Sequence, residues 1–378
     1  MDRSVAAQGA CPNAGRLVQW SMKIPAIFCL LAFLPAFMAQ DTLLAQEATY
    51  PSLASEVLTT YQPAAPEKHT PQAMAAAATK FLAALTPELR KQAALAFDSK
   101  EKARWTNTPP RGEQGGVRIG DLDKAQLKLA CDLLRAVMSK RGYAIARNVP
   151  LADDTLLRNG QPRPGFGAEN YWLAIFGEPS ATDPWALQFD GHHIAINLAF
   201  HGERMCMSPS FLGTQPAAFD FGGKQIEIMQ QERALSYAFM KALGEEQRKE
   251  VIVSDRRMRL VAAAGRDGRV PEPVGAKVSD LDKADVDRLF EVIHSYSGLM
   301  PPRYAKQRLK ALRAEVDQMT VAWGGPTAPK SDMSYRIQSP SLIIEYAGQD
   351  LGRDPLNHIH GMYRDPSNEY GAALGGEE

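Results

Sequence analysis

Residues 185–207 read WALQFDGHHIAINLAFHGERMCM, and this stretch decides the fold class. Apolar, β-favouring residues run from Trp185 to Phe189 and again over His192–Phe200. The polar tetrapeptide His201–Arg204 then connects to a third apolar stretch, Met205–Met207. Consecutive strands joined by such short connections pair with their neighbours in antiparallel fashion. The stretch therefore predicts an antiparallel meander.

The rest of the chain adds strands and helices in separate blocks. Residues 171–177 are aromatic and apolar and predict a preceding strand. Residues 335–346 predict a late strand, in which Pro340 indicates an edge position or a bulge. Apolar residues at helical spacing predict helices at about residues 124–140, 225–243, 283–296 and 302–319. Helices segregated from a run of strands indicate the α+β class, with a central, mostly antiparallel sheet and flanking helices.

The N-terminal segment has the pattern of a removable secretory signal. Lys23 precedes an uninterrupted apolar run over residues 24–39, and Met22 is an alternative start. We expect cleavage after Ala39 or Ala45, and Ala45 is preferred, so that residues 1–45 form the signal. The alternative is a membrane anchor, but the run is shorter than the ~20 residues that a spanning helix needs. Export predicts a periplasmic or secreted protein without a stable membrane span after cleavage.

The remaining chain predicts one domain between two short flanking segments. Residues 46–72 contain four prolines and little apolar periodicity, which predicts an extended leader. Residues 73–371 are expected to form a single α+β domain, and residues 372–378 a flexible tail. Cys131 and Cys206 remain after signal removal, and an oxidising compartment would allow a disulfide between them. The helical pattern around Cys131 favours the alternative, two buried thiols.

The charge balance excludes one class of partner. The chain carries 43 basic and 43 acidic residues, and its isoelectric point is near 7.1. No basic stripe with interleaved aromatic residues occurs, so nucleic acid is not an expected partner. A small molecule or a metal ion is the expected partner instead.

The histidines point to a site. Five of the seven are His192, His193, His201, His358 and His360. If a strand begins at His192, alternation places His192 on the apolar face with Ile194 and leaves His193 more accessible. The i, i+2 spacing of His358 and His360 puts both imidazoles on one face of an extended segment. We therefore expect these two to converge with His193 or His192 on one divalent transition-metal ion, zinc or copper.

Charged residues near these histidines suggest roles in chemistry. Asp365 or Glu345 would serve as a general base and Arg364 would bind an anionic group. Asp190 and Glu369 are further carboxylates expected close to the histidines.

Three functions remain open at this point. The first is a metal-dependent enzyme outside the cytoplasm, and the second is a protein that binds a transition metal or a small ligand without turnover. The third is a structural protein whose histidines form a stabilising polar network, for example His192 with Asp190.

Motifs spread along the chain resemble one known family. They include Asp98-Ser99 with Trp105, the strand at residues 171–177, Asp190–His193, Ser208–Gly213, Glu232, Ala322–Gly325, Tyr335–Pro340, Ile344–Tyr346 and His358–Pro366. Together they are similar to the bacterial, exported family labelled domain of unknown function 3500, over roughly residues 75–371. The resemblance implies one coherent domain and an extracytoplasmic location, and it implies no activity. It also implies a further histidine beyond residues 368–371, which this sequence lacks before Glu378.

Overall fold

The computed structural model describes residues 50–110, 112, 114–159, 163–350 and 354–374. These residues belong to one compact unit. The expected signal segment, residues 1–45, lies outside the described residues. Of the expected flexible tail, residues 372–374 belong to a short 3-10 turn in which Leu374 is buried, and the remainder lies outside the described residues.

Fourteen strands occur in the described residues: β1 (Ala94–Leu95), β2 (Val117–Arg118), β3 (Tyr171–Phe176), β4 (Trp185–Gly191), β5 (Ile194–His201), β6 (Arg204–Thr214), β7 (Ala218–Phe221), β8 (Lys224–Glu227), β9 (Ile252–Ser254), β10 (Ala276–Lys277), β11 (Thr320–Gly324), β12 (Ser334–Ser339), β13 (Leu342–Gly348) and β14 (Ile359–Arg364). Twelve of these described strands form one sheet in the order β1-β3-β4-β5-β6-β14-β13-β12-β11-β10, with β2 paired to β3 and β9 paired to β11. The strands β7 and β8 form a separate hairpin.

The helices in the described residues are α1 (Leu53–Thr60), α2 (Pro71–Ala83), α3 (Pro87–Ala93), α4 (Lys124–Val137), α5 (Lys140–Arg158), α6 (Gln230–Ala242), α7 (Glu245–Val251), α8 (Lys283–Ser297) and α9 (Pro302–Arg313). All strand pairs in the large sheet are antiparallel except β1–β3 and β9–β11. The predicted α+β class, with a mostly antiparallel sheet and flanking helices, is confirmed. Among the described residues, no helix combines the length and apolar character needed to cross a bilayer.

The two faces of the sheet are covered differently. Ile194, Ile196, Leu198 and Phe200 of β5 pack into the main core with the helices, as alternation along this strand predicts. The neighbouring residue Ala195 points to the other face, where a smaller cluster contains Trp105, Phe211, Ala262 and Met362. Irregular segments cover this second face. One of them, residues 255–275, is called the strap below.

Three local predictions need correction. Residues 53–60, expected within an extended leader, form α1, because Ser52 caps the helix and Ala54, Val57 and Leu58 are buried at helical spacing. Pro340 lies in neither an edge strand nor a bulge: Ser339 pairs with Leu342, so Pro340 and Ser341 form the turn of a central β12–β13 hairpin.

The third correction concerns the helix predicted over residues 124–140. Its pattern stops at Val137, and α5 begins separately after the N-cap Ser139.

The cysteine alternatives are resolved by the structure. Cys131 and Cys206 are both free thiols and both are buried. Cys131 lies on α4, and Cys206 lies on β6, where its thiol contacts the backbone oxygen of Asn368. The buried-thiol interpretation is therefore the correct one, and the proposed disulfide is not formed.

Candidate metal centre

A tight turn carries the first two histidines. Gly191 pairs with Ile194, so His192 and His193 are the two turn residues between β4 and β5. His193 adopts a left-handed backbone conformation with φ of +68°. The left-handed conformation destabilises an L-residue by roughly 1–2 kcal/mol. Residues with such backbone strain are found most often at functional sites. The backbone holds the turn in place, because His193 N donates to Asn107 O at 3.3 Å and Gly213 N donates to His193 O at 2.6 Å.

The other two histidines flank the start of β14. His358 immediately precedes this strand and His360 is its second residue, as the i, i+2 spacing predicts for an extended segment. Strand β14 pairs with β6, and His360 lies directly opposite Gly213. Because Gly213 also binds the His193 backbone, β6 brings the two histidine segments side by side.

Three imidazoles meet at this point. His193 Nε2 lies 2.9 Å from His358 Nε2, and His358 Nε2 lies 3.2 Å from His360 Nε2. The ligand atoms of all three residues lie within 4.8 Å of one another. Two nitrogens bound to one ion at ~2.0–2.1 Å lie roughly 3 Å apart at octahedral or tetrahedral angles. The predicted convergence of His358 and His360 with His193 is confirmed, and the spacing suits a single ion.

The site is buried, and burial favours the neutral form of two of its imidazoles. His193 and His358 are buried, and His360 is partly exposed. Burial, and then repulsion by the neighbouring imidazoles, holds the pKa of His193 well below its ordinary value. The same causes hold the pKa of His360 well below its ordinary value. Neutral imidazole is the form that binds a metal ion, so these rings are preset to act as ligands.

Gly213 makes room for this arrangement. A Cβ atom at this position would lie 3.0 Å from His360 Cδ2 and 3.1 Å from His193 Cδ2. Both distances are shorter than ordinary carbon–carbon contacts of about 3.5–4.0 Å. A side chain at residue 213 would therefore push two of the three imidazoles out of place.

His192 supports the cluster without joining it. Its Nδ1 lies 2.7 Å from Asp153 Oδ1, and its ring stacks between Phe166 and His193 with centroids at 4.8 and 3.7 Å. Asp153, His192 and His193 also have potential ligand atoms within 4.8 Å of one another. However, the stacked planes of His192 and His193 differ by only 27°. Their lone pairs lie in two offset, nearly parallel ring planes, an arrangement that does not favour binding of both rings to one ion.

Asp153 anchors this support from α5. Tyr171 Oη lies 2.9 Å from Asp153 Oδ2 and 2.7 Å from the backbone oxygen of His192. Burial raises the pKa of the Asp153 carboxyl, and attraction to His192 opposes the rise. Sequence reasoning missed Asp153 because the helix continues through Pro150, and it missed Gly213 because one glycine within a strand carries no distinctive signal.

One prediction about the turn was wrong. His192 was expected to be the more buried histidine, but its relative exposure is 5% and that of His193 is 2%. The alternation argument assumed a strand that begins at His192, whereas β5 begins at Ile194. Strand parity does not extend into a turn, and both rings are enclosed.

The structure places Glu345 and Arg364 under the strap. Glu345 Oε2 accepts hydrogen bonds from the backbone N–H groups of Val261 and Ala262 at 2.9 and 2.8 Å, and Glu345 Oε1 pairs with Arg336 Nη2 at 2.9 Å. Arg364 donates to Ala262 O at 2.9 Å, and it forms ion pairs with Asp267 and Glu369.

Two further carboxylates are also engaged. Asp365 pairs with Arg308 at 3.1 Å and accepts a hydrogen bond from Ser367 Oγ. None of the contacts found for Glu345, Arg364 or Asp365 within the described chain involves an imidazole. Asp190 lies at the end of β4, three residues before His193, and accepts a hydrogen bond from Thr106 N at 3.1 Å. Burial raises the pKa of Asp190 to about 7.

Comparison with known proteins identifies the family and no activity. A protein-family model described as Protein of unknown function (DUF3500) matches residues 67–372. This range contains the turn histidines, His358, His360 and Asp153. No curated protein and no solved structure matches the chain. The chain belongs to the DUF3500 family of proteins of unknown function.

Proposed function

We propose that this protein binds one divalent transition-metal ion, zinc or copper, through Nε2 of His193, His358 and His360. The observation that carries the proposal is the approach of His358 Nε2 to two other Nε2 atoms, at 2.9 and 3.2 Å. A neutral ring nitrogen either donates one hydrogen or accepts through one in-plane lone pair. One nitrogen therefore cannot make two well-directed hydrogen bonds to the others, whereas a cation between the three satisfies every lone pair.

The number of ligands favours catalysis over a structural role. Structural zinc sites close their coordination with four protein ligands, and catalytic sites use three ligands and keep a position for water or substrate. The cluster offers three imidazoles, and the partial exposure of His360 marks the side from which a further ligand would approach. We therefore propose a metal-dependent enzyme. A bound ion of this kind lowers the pKa of its water to ~7 or polarises a substrate oxygen.

Metal binding is tested on protein purified without a histidine tag. Calorimetric titration with Zn²⁺, Cu²⁺ and Ni²⁺ should show one ion per chain for the wild type and its loss in the His358→Ala, His360→Ala double variant. The matched control is His294→Ala, because His294 is an exposed histidine on α8. Absence of binding for all three ions, or unchanged binding in the double variant, would favour the stabilising network.

The open position is tested with cobalt. Co²⁺ bound to the wild type gives visible absorption bands that depend on its ligands. Azide should shift these bands if a coordination position is open. Bands that do not respond to azide would support the alternative, a protein that binds the metal without turnover.

The proposed location is outside the cytoplasm. It rests on Lys23, the apolar run at residues 24–39 and the small residues at its end. Amino-terminal sequencing of the protein recovered from the extracytoplasmic fraction should find a start between Gln40 and Gln46. An intact start at Met22 in a membrane pellet would exclude cleavage.

A further inference from the structure

A cavity of about 570 Å³ lies beside β2 and β3, at the end of the sheet. Its volume falls within the range of roughly 300–1,000 Å³ that is typical of small-molecule sites. The described residues that line it come from β1, β2 and β3 and from the segments next to these strands: Gln92, Leu95, Glu101, Arg104, Gly112, Gln114, Gly115, Gly116, Arg118, Asp121 and Trp172. The function proposed above does not use this cavity.

The charged groups of the cavity neutralise one another. Arg104 pairs with Glu101 at 2.8 Å, and Arg118 pairs with Asp121 at 2.9 Å. Arg118 also donates to Asn170 Oδ1 at 3.0 Å. Among the described lining residues, two cations balance two anions, so this part of the wall offers no net electrostatic attraction for an ionic ligand. The charge pattern therefore suits a neutral ligand.

The remaining groups offer one aromatic plane and free amides. Trp172 is half-buried on β3, opposite Arg118 of β2, and its ring forms part of the wall. The side-chain amides of Gln92 and Gln114 make no hydrogen bond to the described part of the chain, and each can donate and accept. An indole plane beside unpaired amides matches a ligand that has an apolar face and many hydroxyl groups.

Two glycines keep the cavity open. Gly116 has φ of +100°, and a Cβ there would lie 2.8 Å from Leu173 O, so this loop lies directly on β3. At Gly115 a Cβ would contact Glu101 Cβ and Oε2 at 3.4 Å. A larger side chain at residue 115 would extend into the space in front of Glu101.

We propose that this cavity binds a neutral carbohydrate. Trp172 lies against the apolar face of a sugar ring, and Gln92 and Gln114 hydrogen-bond its hydroxyl groups. The segment that lines the cavity at Glu101 and Arg104 continues to Asn107, whose backbone oxygen accepts from His193 N. The cavity is thus connected to the candidate metal centre through a few residues, but its ligand binding does not depend on a metal ion.

The proposal is tested by titrating the metal-free full chain with neutral tetrasaccharides. The probes are cellotetraose, maltotetraose, xylotetraose and chitotetraose, followed by tryptophan fluorescence and calorimetry. We expect at least one to bind. Trp172→Ala should weaken that binding by roughly fivefold, since an aromatic contact is worth on the order of 1 kcal/mol. Gly115→Leu, which fills the cavity, should abolish it.

Further variants separate binding from folding. Gln92 lies on an exposed stretch, so Gln92→Ala should keep the melting temperature and still weaken binding. Gln225→Ala is the matched control, because Gln225 is an exposed glutamine on β8. The proposal is overturned if none of the probes binds, if Trp172→Ala and Gly115→Leu bind as well as the wild type, or if charged tetragalacturonate binds more tightly than every neutral probe.

Discussion

Replacing Gly213 by alanine is the most direct test of the candidate metal centre, because it changes no ligand. The residue lies in β6, where alanine is conformationally allowed. The added Cβ would lie 3.0 and 3.1 Å from carbons of His360 and His193. To regain ordinary contacts of about 3.5 Å or more, each ring must move by roughly 0.4–0.5 Å. Metal–ligand distances in well-formed sites stay within about 0.2 Å of their standard values.

Two of three ligands would therefore move beyond that range. Changes to groups that orient metal ligands reduce affinity by roughly 10–100-fold, and we expect Gly213→Ala to raise the zinc Kd by that factor, or about 1.4–2.7 kcal/mol. Competition with a chelator of known affinity measures the change. The matched control is Gly244→Ala, where the new Cβ would meet Gln247 Oε1 at an ordinary 3.6 Å. An unchanged zinc Kd in a folded Gly213→Ala protein would refute the assigned geometry.

Three further predictions concern the surroundings of the site. Asp190→Asn should stabilise the protein at pH 8 and change its stability little at pH 4. Burial raises the pKa of Asp190 in the folded protein to about 7, above its value in the unfolded chain. The folded protein therefore loses stability as the pH rises from the unfolded pKa to about 7, and asparagine, which does not ionise, avoids that loss. Urea unfolding at both pH values measures this, and an equal effect at each would contradict it. His192→Ala should lower the free energy of unfolding by about 1–3 kcal/mol, since it removes the imidazole that Asp153 Oδ1 contacts in the buried site, and the variant should retain one ion per chain by elemental analysis. Glu345→Ala should lower the free energy of unfolding by about 3–5 kcal/mol, since it leaves Arg336 buried and unpaired. The metal stoichiometry should again be unchanged. Loss of the ion in the folded variant would show that Glu345 does contribute to the metal site.

Local sequence patterns were sufficient to predict the strands that contain or adjoin the histidines of the site. Alternation of apolar and small residues located β5 and its two faces, and the His-x-His spacing placed His358 and His360 on one side of an extended segment. Imidazoles are scarce in this chain, so chemistry alone suggested that the two regions meet. These inferences depend on short-range periodicity and residue type, which the sequence displays directly.

The sequence alone did not reveal which distant residues lie next to one another in the fold. A strand ends where its residues no longer pair with a neighbouring strand. Only the pairing of Gly191 with Ile194 in the structure shows that His192 and His193 form a turn. The support from Asp153 comes from a helix that continues through Pro150, against the usual effect of proline. Glu345 and Arg364 have the residue types of catalytic groups, and only the structure shows them bonded to the strap.

The chain contains its own comparison between a stabilising histidine, His192, and a proposed metal ligand, His193. His192 has a carboxylate at 2.7 Å on one nitrogen and aromatic rings stacked on both faces, which is how a buried structural histidine satisfies its polar groups. His193, the next residue, directs Nε2 towards other imidazole nitrogens, and it does so from a strained backbone. If stability alone had shaped the turn, a carboxylate or a backbone oxygen would face His193 as Asp153 faces His192. The strain at His193 and the glycine opposite His360 both permit three imidazole nitrogens to converge, which is the arrangement that the proposed metal site requires.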